Sequence, residues 1–208
     1  MKLKRFLIFC ILLGGCSSAH QITLDVPIHQ VHNENCCSTI KLYVPDSLMH
    51  LPSEAVLSGG LCQGHKFDVE IGKGIIDAFR CALGNYFDTT KILPSIQNDT
   101  IVSLRMEFFI DVKNLKINVE FSPNAFSVNI NASVDFEIRL TGLLPKIEHP
   151  TSDMGGMQRV NETFHISTSN SGKADDCHDA VIYLKAAGEK AMKDLCDSIV
   201  ARLQKYLY

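Results

Sequence analysis

The sequence predicts an α+β fold, a two-layer sandwich in which an antiparallel sheet carries two amphipathic helices on one face. The centre of the chain alternates between apolar and polar residues, as a strand with one buried face does. Two other segments repeat apolar residues at the spacing of a helix. The regular β-α alternation of parallel-sheet proteins is absent, and a sheet with one apolar face needs helices to cover it.

The strands are predicted from this alternation. Residues 126–140 are apolar at even positions, residues 102–112 follow the same phase, and residues 115–121 are apolar at odd positions. The change of phase at Lys113-Asn114 indicates either a hairpin turn of two residues or a β-bulge. Ser122-Pro123-Asn124 predicts the next turn. Weaker alternation predicts further strands over residues 22–28, 39–44 and 160–168.

Two helices are predicted from apolar residues three and four positions apart. The first covers about residues 73–87, and one of its faces carries Ile75, Phe79 and Leu83. The second runs from about residue 178 to the C-terminus. Both apolar stripes are expected to lie on the apolar face of the sheet.

The N-terminus has the features of an export signal. Lys2, Lys4 and Arg5 precede an apolar run over residues 6–13. A helix of that length spans roughly 12 Å, far less than the ~30 Å core of a bilayer, so the run indicates a signal peptide and not a spanning anchor. The sequence Leu13-Gly14-Gly15-Cys16, which ends it, resembles a bacterial lipobox, whose cysteine is acylated.

The lipobox resemblance implies how the chain is processed and where it goes. We expect a signal peptide over residues 1–15, a lipidated Cys16 with a short tether to residue 21, and a single α+β domain over residues 22–208. A residue other than Asp after the cysteine accompanies sorting to the outer membrane, and Ser17 stands there. The tether reaches at most ~18 Å, which keeps the domain beside the membrane on its periplasmic side. The alternative is an ordinary signal peptide cut after Ala19.

The body resembles, in the order of its elements, the YajG-type and LptE-type families of small envelope lipoproteins, and also the auxiliary lipoproteins of lipid-transporting ABC systems. A helix follows the early strands, a meander comes next and a helix ends the chain. The resemblance implies one compact α+β domain on a short tether. A shared fold does not by itself give a function.

The cysteines beyond Cys16 are even in number, which favours disulfides in an exported chain. They are Cys36, Cys37, Cys62, Cys81, Cys177 and Cys196. A bond between Cys177 and Cys196 is excluded, because a continuous last helix separates them by roughly 28 Å and a disulfide needs Cα atoms within about 7 Å. Cys81 falls on the outer face of its helix, where a loop carrying Cys62 could cover it. The sequence therefore predicts a Cys62–Cys81 disulfide, with free thiols as the alternative.

The motifs of common catalytic and metal sites are absent. No G-x-S-x-G, H-E-x-x-H or C-x-x-C occurs in the sequence. His29, His32, Cys36 and Cys37 are zinc-binding residue types, but their spacing matches no common zinc finger. We therefore expect no enzymatic activity, no catalytic residue, no metal and no cofactor. The formal charge of −3, with no Lys or Arg cluster in the body, argues against a nucleic-acid partner.

The expected contacts are the membrane, through the lipid anchor, and an envelope protein. Residues 142–159 form a long predicted connection, and loops of more than about 12–15 residues are usually functional or disordered. The candidate contact residues lie in this connection and on the polar sheet face: Leu143, Leu144, Ile147, Met154, Met157, Arg105, Glu107, Asn131 and Arg139. A mobile hairpin tip is the alternative for the connection.

The expected function is that of a non-enzymatic, membrane-anchored lipoprotein that serves as an accessory or assembly component of an envelope complex. The alternative is a periplasmic carrier that binds lipid or another small amphiphile between the helices and the sheet.

Overall fold

The computed structural model describes residues 18–26, 39–49, 51, 53–87, 89–94, 107–124, 127–145 and 157–207. Its helices and strands confirm the α+β class. In chain order they are β1 (Ala19–Ile22), β2 (Thr39–Val44), α1 (Asp46–Met49), β3 (Val56–Ser58), β4 (Lys66–Val69), α2 (Ile71–Gly84), β5 (Thr89–Pro94), β6 (Glu107–Pro123), β7 (Val128–Pro145), β8 (Met157–Ala174) and α3 (Cys177–Leu207).

The main sheet is mixed, which corrects the expectation of a purely antiparallel one. Its order is β5-β2-β6-β7-β8, and β3 also pairs with β6. Strands β6, β7 and β8 form the expected antiparallel meander, but β2 pairs in parallel with both β5 and β6. Parallel neighbours need a long crossover connection, and the chain between β2 and β5 provides one that contains α2. Strands β3 and β4, with three and four residues, are too short for the alternation of residues to predict them, and β5 was not predicted either.

The phase change in the sequence is a β-bulge, and the hairpin-turn interpretation is wrong. Strand β6 pairs with β7 on both sides of an irregularity between Lys113 and Lys116. Asn114 adopts a left-handed φ of 55° there. Asn tolerates this conformation better than most residues because its short polar side chain can bond locally. The bulge moves the apolar residues from even to odd positions while the same face of the sheet stays buried.

The first strand begins earlier than predicted and ends at Ile22. It pairs in parallel with β4, so residues expected in the tether belong to the fold. After Ile22 the chain leaves this pair and enters the helix layer. Leu24 is buried there, and Asp25 pairs with Lys185 of α3 at 2.7 Å. Lys185 lowers the pKa of the Asp25 carboxyl below its usual value, chiefly by hydrogen bonding.

Helices α2 and α3 form the second layer, as the apolar stripes predict. Ile75, Phe79 and Leu83 of α2 are fully buried, and they share one core with the apolar face of the sheet. Helix α3 begins with a reciprocal cap: Asp176 Oδ1 accepts from the backbone N–H of His178 and Asp179, and Asp179 Oδ2 accepts from that of Asp176. The backbone hydrogen bonds lower the pKa of the Asp179 carboxyl.

The two helices pack closely at small residues. A Cβ atom on Gly74 of α2 would lie 2.9 Å from Met192 Sδ, and one on Gly188 of α3 would lie 2.6 Å from Leu24 Cδ2. Tyr86 donates a hydrogen bond from its hydroxyl to the carbonyl of Val200 at 3.0 Å. Side chains therefore fill the space between α2, α3 and the segment that follows β1.

Among the described residues, Cys62 and Cys177 form a disulfide with a Cα–Cα distance of 5.6 Å, so the predicted Cys62–Cys81 bond is wrong. The sequence predicted a disulfide at Cys62, but with a different partner cysteine. The helix face that carries Cys81 is covered by α3, and Cys81 is buried there beside Cys196. The loop with Cys62 instead reaches the first residue of α3.

Substitution of Gly72 tests the close contact between α1 and α2. An added Cβ would lie 2.0 Å from the carbonyl oxygen of Leu48, which is backbone and cannot rotate away. Gly72→Ala is expected to lower the free energy of unfolding by about 1–3 kcal/mol. Gly84→Ala is the matched control, because its Cβ meets nothing within 4 Å. Urea denaturation followed by circular dichroism compares the two; equal effects would contradict the packing described.

Candidate docking surface

The face of the meander that points away from the helices is polar and joined by side-chain pairs between neighbouring strands. Arg139 Nε donates to Asn161 Oδ1 at 3.1 Å, and His165 Nδ1 lies 3.6 Å from Glu137 Oε2. Asn131 and Arg139 are exposed on this face, as the alternation predicts. These pairs satisfy polar groups without covering the face, and the helices of the described ranges lie on the opposite face of the sheet.

One end of this face is apolar, and we call it the end patch. It consists of half-buried side chains from five strands: Tyr43, Leu93, Phe109, Leu143 and Met157. Leu93, Tyr43 and Phe109 lie side by side in β5, β2 and β6. The rings of Tyr43 and Phe109 stack with centroids 4.7 Å apart. Partly open aromatic and aliphatic side chains with a polar rim are typical of protein-contact surfaces.

Glu107 was expected on an open polar face, but it is buried, with only 10% of its side chain exposed. Strand β2 brings Lys41 Nζ to 3.5 Å from its Oε1, and the Tyr43 hydroxyl donates to the same oxygen at 3.4 Å. A buried carboxylate needs such partners. The Lys41–Glu107 pair therefore lies among the apolar side chains of the end patch as a fixed charged element.

The predicted connection over residues 142–159 is shorter than expected, because β7 extends to Pro145 and β8 begins at Met157. Leu143 and Met157 are strand residues on the open face and belong to the end patch. Leu144 was predicted as a contact residue, but it points the other way and is fully buried in the core. Arg105, Ile147 and Met154 lie outside the described residues.

Sequence reasoning missed the aromatic residues of the end patch. Phe109 occupies an odd position in a segment whose even positions are buried, and Tyr43 lies between Leu42 and Val44, which are both buried. An aromatic residue on the polar phase of a strand is the signal that could have revealed them. The prediction used only the positions that follow the apolar–polar alternation, so it did not consider Tyr43 and Phe109.

A polar cavity of about 370 Å³ lies at the opposite end of the same face. Hydroxyl, amide and ammonium groups line it, together with Ile130 and Gly172; the polar groups belong to Ser122, Asn129, Asn131, Ser171 and Lys173. Ligand pockets are usually lined by apolar side chains with a few polar groups, whereas five of the seven residues that line this cavity are polar.

The chain is fixed close to its N-terminal end by a cluster that we call the Ser18 clamp. Ser18 Oγ lies 2.7 Å from His65 Nδ1 and 3.2 Å from His20 Nε2, and the two ring nitrogens are 3.0 Å apart. The backbone N–H of Lys66 donates to the Ser18 carbonyl at 3.0 Å. His20 also stacks on Phe67, with ring centroids 4.9 Å apart.

Within the described ranges, no three or more His, Cys, Asp or Glu residues are placed to hold a metal ion. No helix in the described part of the chain is both long and apolar enough to cross a membrane.

Comparison with known proteins gives a likeness of fold. No family model and no curated protein sequence matches the chain. A Xanthomonas campestris protein of the DUF330 family has a similar structure, with a TM-score of 0.50 and 10% identity over 90% of this chain and 97% of that one. A minor lipoprotein from Acinetobacter baumannii gives a TM-score of 0.41 and 8% identity over 79% of this chain and 92% of that one. At this identity the first likeness concerns the fold alone.

Substitution of Lys41 tests the charged element of the end patch. Lys41→Met would leave the Glu107 carboxylate buried without its cation, and we expect the free energy of unfolding to fall by about 1–3 kcal/mol. The double variant Lys41→Met/Glu107→Gln should recover most of that loss, because neither charge remains. Asp111→Asn, which breaks an exposed pair with Lys113, should cost less than about 0.5 kcal/mol. A double-mutant cycle without coupling would refute the pairing.

Proposed function

We propose that this chain is an outer-membrane lipoprotein without catalytic activity, which docks on an envelope protein as an accessory or assembly component. The observation that carries the docking role is the end patch, an aromatic and aliphatic cluster on a sheet face that the helices leave open. The membrane role is supported by the lipobox and by the position of the Ser18 clamp.

The Ser18 clamp limits how far the body can move from an acylated Cys16. Ser18 follows Cys16 by two residues, which span at most ~7 Å of extended chain. That reach is shorter than the ~18 Å expected from the sequence, because β1 takes up residues assigned to the tether. A body held this closely presents a defined side to the bilayer.

The clamp also favours lipobox processing over cleavage after Ala19. That cleavage would remove Ser18, whose carbonyl and hydroxyl both bond to the fold. It would also remove Ala19, which pairs with Lys66 at the start of β1. Processing before Cys16 keeps all of these contacts.

The partner that fits the end patch is a protein surface with apolar side chains at its centre and polar groups around them. Tyr, Phe and Met are enriched where protein interfaces are most buried. Leu143 and Met157 remain proposed contact residues, with Glu107 fixed among them, and Asn131 and Arg139 extend the contact along the polar part of the face. Arg105, Ile147 and Met154 complete the proposed contact set.

The geometry favours docking over transport of an amphiphile. The buried side chains between the helices and the sheet form one core, and Leu24 occupies the space that a Cβ atom on Gly74 or Gly188 would need. Five of the seven residues that line the cavity on the open face are polar. Its lining groups include one amine, from Lys173, and no carboxylate, so they offer no acid–base pair for catalysis.

Lipidation is tested by substitution of Cys16 in the full-length chain expressed in a Gram-negative host. Cys16→Ser should abolish the acyl mass increment and release the protein from the membrane pellet, because the thioether link is lost. Cys10→Ser is the matched control, since that cysteine leaves with the signal peptide. Intact-mass analysis reports the result. A wild-type chain that starts at residue 20 without an acyl increment would overturn the anchor.

Docking is tested by photo-crosslinking in intact envelopes with a photoreactive residue at position 143. We expect one dominant protein adduct, and Phe109→Lys should reduce it more than tenfold, because a charge would enter an apolar contact. Ile182→Lys is the matched control, since Ile182 is 53% exposed on α3 and outside the end patch. An adduct that Phe109→Lys leaves unchanged, or that Ile182→Lys removes equally, would contradict the proposed surface.

A further inference from the structure

Cys81 and Cys196 place two thiols in contact between α2 and α3. Cys196 donates a hydrogen bond from its Sγ to the Sγ of Cys81, with the sulfur atoms 3.0 Å apart. Both residues are only 7% exposed. A disulfide requires about 2.05 Å between sulfur atoms, so a movement of about 1 Å would bring these two to bonding distance.

The contacts around the pair hold the two helices at this separation. On one side along the helices, Gly74 allows Met192 to approach α2 closely. On the other side, the hydroxyl of Tyr86 bonds to the carbonyl of Val200. The pair lies between these two contacts, so the thiols remain within reach of each other in the folded protein.

The neighbouring disulfide joins the same two parts of the chain in the same direction. Cys62–Cys177 and Cys81–Cys196 each span a sequence separation of 115 residues. The spacing from Cys62 to Cys81 therefore equals the spacing from Cys177 to Cys196. It places two links between segments that lie side by side, one at the start of α3 and one in its second half.

We propose that Cys81 and Cys196 are joined by a disulfide in the exported protein, as a second covalent link to α3 and the one that joins it to α2. The proposal rests on the export that the proposed function includes. The co-reactant is a thiol oxidant of the exporting compartment that carries a reactive protein disulfide.

The bond forms by two exchange steps. One cysteine thiolate attacks the disulfide of the oxidant, which gives a mixed disulfide and releases one thiolate of the oxidant. The second cysteine thiolate then attacks the sulfur of the first, and the other oxidant thiolate leaves. Two electrons pass from this chain to the oxidant, and the two protons lost from the cysteines end on the thiols of the oxidant.

Burial of the two cysteines determines the stage of folding at which this thiol–disulfide exchange can occur. Desolvation, with a smaller contribution from the hydrogen bond to Cys81, raises the pKa of the Cys196 thiol far above its usual value. Only a thiolate attacks a disulfide, so exchange is slow once the helices have packed. The bond forms while α3 is docking onto α2, and afterwards the same burial shields it from reductants.

Peptide mapping of the protein from envelopes tests the bond directly. The protein is alkylated as it is denatured without reductant and then digested with trypsin, which separates all four cysteines of the two links. The expected product joins residues 81–91 to residues 194–202 and is lighter than the two free peptides by two hydrogen atoms. If Cys81 and Cys196 are alkylated while the Cys62–Cys177 link is intact, the proposed second disulfide is wrong and the proposed export still stands. Alkylation of all four would overturn it together with the export.

A variant without the first link provides an independent measurement. Cys62→Ala/Cys177→Ala should still yield the peptide pair of residues 81–91 and 194–202, because Cys81 and Cys196 meet through helix packing. Cys81→Ala is the matched control, and in it Cys196 should be alkylated. If the double variant folds, as judged by circular dichroism, and Cys81 and Cys196 are alkylated in it, the proposal fails.

Discussion

The fold depends on the one-sided hydrophobicity of a long meander. The even positions of β7 from Ile130 to Leu140 are buried, while Asn131 and Arg139 between them are exposed, so one face of the sheet must be covered and the other need not be. Helices α2 and α3 cover the first face. The helices of the described ranges leave the second face open. Tyr43 and Phe109 expose aromatic surface on this face, at positions where the alternation would place polar residues.

The layer of helices α2 and α3 is connected to the N-terminal segment of the chain by side-chain packing and by a disulfide. The Ser18 clamp fixes the chain beside the proposed anchor, and Leu24 then fills the gap between α2 and α3. The Cys62–Cys177 disulfide joins the loop before β4 to the start of α3. With the anchor proposed at Cys16, the side of the body nearest the bilayer would be tied to the helix layer, and the open sheet face would have a defined orientation to the membrane.

Prediction from sequence succeeded where local pattern decides the structure and failed where tertiary contact does. Alternation located β2 without error and predicted the meander, because burial of one face fixes the phase of each residue. The parallel pairing of β2 and the short strand β3 depend on distant partners that no local pattern contains. A helical wheel gave the face of Cys81 but could not show that α3 covers it. Glu107 lies at a position where the alternation predicts an exposed polar residue, but Lys41 and Tyr43 of the neighbouring strand enclose its side chain.

The central claim is that a partner covers the open face in the intact envelope. Hydroxyl-radical footprinting of wild-type protein in envelopes and after detergent extraction measures this directly. If a partner covers the end patch, Tyr43, Phe109 and Met157 are oxidised after extraction and protected before it. Met49, which is 56% exposed on α1, should be oxidised equally in both states. Equal oxidation of the end patch in both states would contradict the claim.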